Sequence, residues 1–368
     1  MSKQKNTKSS TQWFDNAQVS ILEEVIRQND GKPFTIQETE TAHEQMKLLS
    51  TSADTKGIKF SSTALHYQYY HSKFKKRALL MYNVLSGLWR VESVTALRKK
   101  QEYNEKTILD KFNKLVNDKK KSKKEYNASE FSELMTYSLV LSSSCNELIV
   151  DKTADEEDVY HDEYYTNEEV STNTHKQQPV IIPREFTIEK IDLKKRFLRV
   201  ASIGGGPGND SAAFVVLRES MLNKIFEKGS EISCDLYDLE KNWKNYLPRL
   251  QELTKDSLRL DFNRCDVTKG LENSLNRALK DRVQHYDIFL FSYVCNETSH
   301  LTKQADGIFF RELFTNAKPY SMFVFTDVIE YAKKALLYVE SVAKSVGDNF
   351  ISFHPQSNQA QVMAIIKY

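Results

Sequence analysis

Residues 199–210 read Arg-Val-Ala-Ser-Ile-Gly-Gly-Gly-Pro-Gly-Asn-Asp, and this stretch restricts the fold more than any other. A short apolar run carrying Val200 and Ile203 stops at Gly204-Gly205-Gly206-Pro207-Gly208, and an apolar segment from 211 to about 226 follows. The order strand, glycine turn, helix predicts the ligand-facing corner of an open α/β sheet, where bare backbone amides meet a nucleotide-like molecule. Glycine suits such a turn because a Cβ would block the ligand and because these turns use φ > 0. A dinucleotide fingerprint has the spacing G-x-G-x-x-G, its third glycine letting the helix pack beneath a pyrophosphate. Here the glycines at 204, 206 and 208 give G-x-G-x-G, with Pro207 fixing φ inside the loop and Asn209 where the third glycine would stand. That substitution makes a dehydrogenase the least favoured reading.

The rest of the chain falls into unlike parts. Residues 1–10 are polar and expected to be disordered. Over 11–150 the pattern is helical. One helix covers 18–27 and ends near Asp30-Gly31; a second, running to Leu49, starts at Thr35 with Glu38 at capping-box spacing. The strongest covers 61–97, with Gly87 a possible break, and further helices cover 103–116 and 129–148. Residues 151–179 hold nine carboxylates up to Glu169 and almost no apolar pattern, which predicts a mobile acidic linker or insert. It reads either as an arm for a basic partner or as a solvated spacer. Over 180–368 strands and helices alternate, as in a parallel sheet. The expected strands are 197–203, 232–237, 258–262 leading into Cys265, 286–293 and 321–327, and then a terminal antiparallel pair, 350–354 and 362–367.

Composition excludes several classes. The 368 residues are 40% hydrophobic with 20 Phe and 18 Tyr, enough for a large core, and the net charge of +2 by itself points to no polyanion. The four cysteines, Cys145, Cys234, Cys265 and Cys295, form no C-x-x-C pair and no cluster with histidine, so neither a disulfide framework nor a metal site is expected. The polar, lysine-rich start lacks the apolar core of a signal peptide, and no apolar run approaches membrane-spanning length. A soluble intracellular protein is expected.

Three further runs carry chemistry. The second strand ends Asp235-Leu236-Tyr237-Asp238-Leu239-Glu240, placing Asp238 across the crevice from the glycine loop, where its two oxygens can accept both hydroxyls of a ribose. The alternative is a solvent-facing acid on a turn. Trp243, five residues on, either covers an adenosine or packs in the core. The third strand runs into Asn263-Arg264-Cys265-Asp266-Val267, and the fourth into Phe291-Ser292-Tyr293-Val294-Cys295-Asn296-Glu297-Thr298. Cys295, on an apolar flank, reads as a small core residue. Glu297 is the one plausible general base there, and Tyr293 a candidate orienting hydroxyl; a plain surface loop is the competing reading.

The G-x-G-x-G loop, an acid after the second strand, an acid after the third and seven strands with a terminal return together resemble class I S-adenosylmethionine-dependent methyltransferases. The fold implied is a Rossmann-like seven-stranded sheet, here with an N-terminal all-helical domain. The cofactor implied is S-adenosyl-L-methionine, with no metal. The resemblance assigns cofactor contacts to Ser202, Gly204, Gly205, Gly206, Pro207, Gly208, Asp210, Asp238, Leu239, Asp266, Val267 and Ser292. Within it, Asp266 would face the adenine amino group and the Val267 amide a ring nitrogen; the alternative for Asp266 is a helix cap near Lys269. Tyr293, Asn296 and Glu297 would face the methyl donor and its acceptor. The adenine-amine signature Asn/Asp-Pro-Pro-Tyr/Phe and the Pro-Cys of pyrimidine C5 enzymes are both missing from this run.

The motifs Ser-Ile-Gly-Gly-Gly-Pro-Gly-Asn-Asp, Tyr-Asp-Leu-Glu-Lys-Asn-Trp and Phe-Ser-Tyr-Val-Cys-Asn-Glu further resemble, over roughly 197–330, a eukaryotic group that includes fungal methyltransferases of a uridine in large-subunit ribosomal RNA. That resemblance implies the N(3) atom of a uracil as acceptor, RNA as partner, and the nucleus or nucleolus as location (otherwise the cytoplasm). From the residues themselves, the run His66, Tyr67, Tyr69, Tyr70, His71 and Phe74 before Lys75-Lys76-Arg77 is able to stack on bases and neutralise phosphates, or is a helix with an aromatic core face. Basic clusters also stand at 98–100 and 119–124. A protein or small-molecule methyltransferase and a non-catalytic protein on the same fold remain as alternatives.

Overall fold

The computed structural model describes residues 3–51, 61–90, 93–94, 105–150, 197–222, 231–254, 258–327 and 329–368. The acidic linker and the basic cluster at 98–100 lie outside the described residues, as does the Cys145 side chain.

Among them, six helices precede the sheet: α1 (Lys3–Gln28), α2 (Ile36–Thr51), α3 (Thr63–Tyr69), α4 (Lys75–Leu88), α5 (Glu105–Ser122) and α6 (Ala128–Val150). Helix α1 begins within the segment expected to be disordered. Thr35 and Glu38 form the capping box of α2: the Glu38 carboxylate accepts from the Thr35 amide at 2.8 Å, and the Thr35 hydroxyl accepts from the Glu38 amide at 3.2 Å. Helices α3 and α4 are joined by a π turn, Tyr70–Phe74, so the chain stays helical across 63–88. Gly87 lies in the last turn of α4, which ends at Trp89, so the break expected near it falls just after.

The sheet is β1 (Leu198–Ile203), β2 (Ile232–Asp238), β3 (Arg259–Arg264), β4 (Ile288–Ser292), β5 (Met322–Asp327), β6 (Phe350–Phe353) and β7 (Gln361–Lys367). Its order is β3-β2-β1-β4-β5-β7-β6. Strands β1 to β5 are parallel, while β7 inserts antiparallel between β5 and β6. Every residue of β4 and β5 is buried, as expected of parallel strands covered on both faces. The expected Rossmann-like, class I methyltransferase sheet is present, with the N-terminal helices beside it.

Alternation along the strands divides the core in two. On one face Ala201, Ile203, Phe289, Phe291, Phe323 and Phe325 pack beneath α9 (Arg277–Arg282), α10 (Val294–Gln304), α11 (Ile308–Asn316) and α12 (Ile329–Val346). On the other, Leu198, Val200, Leu236, Ile288, Leu290 and Val324 pack with α7 (Asn209–Ser220), α8 (Leu247–Thr254) and the N-terminal helices in one continuous cluster. The helical region is thus a layer of the sheet's own core. Helix α7 shows why: every residue from Asn209 to Leu217 is buried, because the sheet covers one side and the N-terminal helices the other.

A buried ion pair fastens this layer at the amino ends of the central strands. Lys318 Nζ lies 2.6 Å from Asp287 Oδ1 and donates to the Ser142 carbonyl of α6 at 2.9 Å. The second Asp287 oxygen accepts from the Arg199 amide at 2.8 Å.

Candidate active site

The carboxyl ends of β1 to β5 gather the chemistry at one edge. Between β1 and α7 the glycine loop turns sharply, and Gly208 takes φ +80° as the N-cap of α7, a conformation that side chains rarely adopt. At Gly206 closeness, not φ, is the constraint. A Cβ there would meet the Trp243 ring and, at 2.6 Å, Asp238 Oδ2. The Gly206 amide donates to Asp238 Oδ2 at 3.0 Å and the Glu240 amide to Oδ1 at 2.9 Å, which fixes the carboxylate at the end of β2. Burial pushes Asp238 up to about 6, against those amide hydrogen bonds. Leu239 beside it is an apolar side chain that stands 52% exposed.

The loop rests on a buried polar knot. Asp210 accepts from Ser202 Oγ at 2.8 Å, from Ser292 Oγ at 2.6 Å and from Asn209 Nδ2 at 2.9 Å. Burial raises its pKa, and the hydroxyl donors oppose that rise. Ser202, Asp210 and Ser292, expected to contact cofactor, are bound to one another and brace β1, α7 and β4. They are buried and spend their polar atoms on one another.

Asp266 serves partly as the competing reading had it. Its Oδ1 caps Thr268 through the amide (2.9 Å) and the hydroxyl (2.7 Å). Its own amide donates to Asn276 Oδ1 at 2.7 Å, and Asn276 Nδ2 binds the carbonyls of Asp266, Lys269 and Gly270. Val267 is buried beside it. Asn276, which staples this loop after β3, gave no signal in the sequence because its partners surround it only after folding.

At the end of β4, Tyr293 adopts φ +64°, a strained conformation for an aromatic residue that costs about 1–3 kcal/mol. Its amide is held by the Thr326 carbonyl at 2.8 Å. The guanidinium of Arg77, from α4, stacks on the Tyr293 ring and donates to the Tyr69 hydroxyl at 2.9 Å. The Tyr69 hydroxyl donates to Asn209 Oδ1 at 3.3 Å, and Tyr70 donates to the Pro207 carbonyl at 3.1 Å. Consecutive tyrosines at the π turn therefore grip the glycine loop from outside. π turns recur where a helix serves a functional site.

Glu297, in the first turn of α10, is half-buried, and its pKa is pushed up to about 7. Burial is the main cause; Arg77 opposes it, while Asp327 and Asp238 add to it. Glu297, Asp238 and the buried Asp327 at the end of β5 thus share this edge with the Arg77 guanidinium, the cation that acts on Glu297 among the described residues. The sequence placed Arg77 in a basic run read as a phosphate contact, and Asp327 was not singled out. The Asn296 side chain lies outside the described residues.

Trp243 is buried, 4.3 Å from the His66 ring centroid and packed against Tyr69, Tyr70 and Tyr246, so it belongs to the core as well as to the loop. Of the two readings of the aromatic run, the structure shows the core face: His66, Tyr69, Tyr70 and Phe74 are all buried, filling the space beside the glycine loop. Only Tyr67 and His71 reach the surface. Cys295 is buried and its thiol pushed up by desolvation, as a core residue would be.

Among the described residues no three metal-binding side chains cluster, and no helix is long and apolar enough to cross a membrane. The edge fits the expected cofactor on its own geometry. A glycine cradle that a Cβ would fill stands beside a fixed carboxylate, an exposed apolar side chain and an excess of negative charge suited to a cationic donor.

No protein-family model matches the chain, and no curated protein matches it in sequence. Solved structures similar to it include a methyltransferase from Pyrococcus furiosus, 12% identical, covering 48% of this chain and 76% of that one at TM-score 0.32. Another is the precorrin-6y C5,15-methyltransferase of Geobacter metallireducens, 12% identical over 48% and 81% of the two chains at TM-score 0.29. A third is an S-adenosylmethionine-dependent methyltransferase from Clostridium acetobutylicum, 9% identical over 46% and 83% at TM-score 0.31. The fold assignment rests on the strand order and not on these likenesses.

Proposed function

We propose that this chain is an S-adenosylmethionine-dependent methyltransferase that acts on RNA, with the N(3) atom of a uridine in large-subunit ribosomal RNA as the preferred acceptor. The observation that carries the reading is Glu297, a carboxyl poised near neutrality at the same edge as the glycine loop and Asp238. A base of that strength is matched to an acceptor whose proton must leave at neutral pH.

In this reading the Gly204–Gly208 backbone and Leu239 flank the adenosine, the Asp238 oxygens accept from its ribose hydroxyls, and Asp266 and Val267 border the adenine. When bound, the cofactor supplies a methyl carbon already activated by its sulfonium. The protein's own work is then alignment and proton removal. Tyr293, pinned under Arg77, would form a wall beside the reacting atoms, and Glu297 would take up the proton that leaves the acceptor nitrogen. Uridine N(3) meets that requirement, and it is the acceptor implied by the resemblance of the three motifs. A nuclear or nucleolar location would follow from the ribosomal target.

Calorimetry with S-adenosylhomocysteine tests the donor site: clear binding supports an enzyme, and no binding to the folded chain points to a non-catalytic protein on this fold. Mass spectrometry of ribosomal RNA nucleosides from cells lacking the protein tests the acceptor. Loss of a methylated uridine supports the assignment. An unchanged nucleoside profile beside intact cofactor binding favours a protein or small-molecule acceptor.

A further inference from the structure

A groove of about 690 Å³ opens between α4, the start of α6 and the β6–β7 connection at 354–360. Its position follows from topology. Strand β7 runs antiparallel to β5 and pairs Gln361 with Asp327, so the connection leading into β7 emerges at the edge that carries Asp238 and Glu297. Leu80 ties groove to site: it lines the groove and packs with Ala360 and Val362 against Tyr293.

The lining has a distinct chemistry. Asn83, Gln356, Asn358 and Gln359 are all exposed amides, each offering a donor pair and an acceptor. Arg90 stands exposed at one end, and beneath lies Phe353, stacked on Phe131 with centroids 4.7 Å apart and planes at 21°. Among the described residues no carboxylate lines the groove. A basic peptide would find no counter-charge there, and a small ring would leave most of the groove empty. Single-stranded RNA matches each feature: unstacked bases are read by amide edges and apolar platforms, and phosphates by an exposed guanidinium.

We propose that this groove holds the single strand flanking the target base, which rests on the reading of the chain as an RNA methyltransferase. The strand runs along 354–360 between Arg90 and Tyr293, and the target base turns inward past Tyr293. The aromatic run of α3, being buried, does not supply this surface.

Fluorescence anisotropy with a short labelled oligouridylate, in the presence of S-adenosylhomocysteine, tests the proposal on the full chain. The exposed amides allow charge insertion without touching the core. Gln356→Glu, Asn358→Asp and Gln359→Glu together should weaken RNA binding by about tenfold or more, each tenfold being about 1.4 kcal/mol. Arg90→Ala should lower the slope of log affinity against log salt by about 0.7, the contribution of one phosphate in a single strand. S-adenosylhomocysteine affinity should stay unchanged in both, and Arg259→Glu, at the opposite end and edge of the sheet, should leave RNA affinity intact. Normal RNA binding by the triple variant overturns the groove and leaves the RNA reading standing. Failure of the unaltered protein to bind RNA while it binds S-adenosylhomocysteine overturns both the groove and the RNA acceptor.

Discussion

The guanidinium carbon of Arg77 lies 3.9 Å from the ring centroid of Tyr293, so a helix far upstream of the sheet supplies a cation at the carboxyl ends of its strands. Arg77 holds the Glu297 carboxyl below the value that burial alone would give it. Arg77→Met should therefore move the midpoint of the pH–rate profile upward from about 7, and Arg77→Lys should recover part of that shift. An unchanged midpoint in Arg77→Met would rule out the electrostatic link.

Glu297→Gln keeps the shape of the side chain and removes its base. Methyl transfer should fall by about 10²–10⁴-fold, the usual share of a general base, while calorimetry finds S-adenosylhomocysteine bound as before. In the unaltered protein the rate should rise through pH 7 as Glu297 ionises. A glutamine variant with the same pH profile would transfer the role to another group.

Asp238→Asn removes the charge that the ribose hydroxyls would meet. A hydrogen bond to a charged group contributes about 1.5–3 kcal/mol, so S-adenosylhomocysteine affinity should drop roughly ten- to hundredfold. Affinity of the unaltered protein should also fall as pH is lowered through about 6, where Asp238 takes up its proton. Stability of the ligand-free chain should run the other way. The folded state binds this proton more tightly than the unfolded state, whose carboxyl titrates near 3.8. The Asp238 contribution is therefore fully present below that value and is lost as pH rises through about 6. Thermal melts across this range, compared with Asp238→Asn, check the sign.

Gly206→Ala adds one carbon where Trp243 and Asp238 already close on the loop. Trp243 is held by the aromatic cluster, so overpacking should cost about 1–3 kcal/mol in denaturant unfolding and displace Asp238 from its amide donors. Donor affinity should fall with it. Retention of both would mean that the loop has room to shift.

Lys318→Met leaves Asp287 buried with the Ser142 hydroxyl and the Arg199 amide but without its cation. Breaking a buried pair from one side costs about 3–5 kcal/mol, and urea unfolding should show a loss of that size. Because Lys318 also donates to the Ser142 carbonyl, hydrogen exchange in α6 should rise with it.

The strands and the glycine loop were legible because their signals are local: apolar runs with turn residues between them, and glycines where a Cβ collides. The place of Asp238 at the end of β2 was legible for the same reason, since it closes an apolar run. The roles of Ser202, Asp210 and Ser292 were not. Whether a polar group beside a loop faces ligand or its neighbours depends on side chains up to 82 positions apart, as in the Ser292–Asp210 bond. Arg77 sat in a basic run that looked like a nucleic-acid patch, and only the fold turns it inward onto Tyr293. The helices of 11–150 were readable one by one, but an amphipathic face does not reveal what covers it. Here it was the sheet, and the buried length of α7 was the clue.

The π turn at Tyr70–Phe74 sets a phase. A π turn accommodates one residue more than an α-helix would, and one residue amounts to about 100° around the axis. Deleting a single residue there would let 63–88 run as an unbroken α-helix. It would also rotate His66 and Tyr69 away from the glycine loop relative to Arg77 and Leu80. Length in this helix is therefore as constrained as composition. Point substitutions on its outer face should be tolerated where an insertion or deletion of one codon is not.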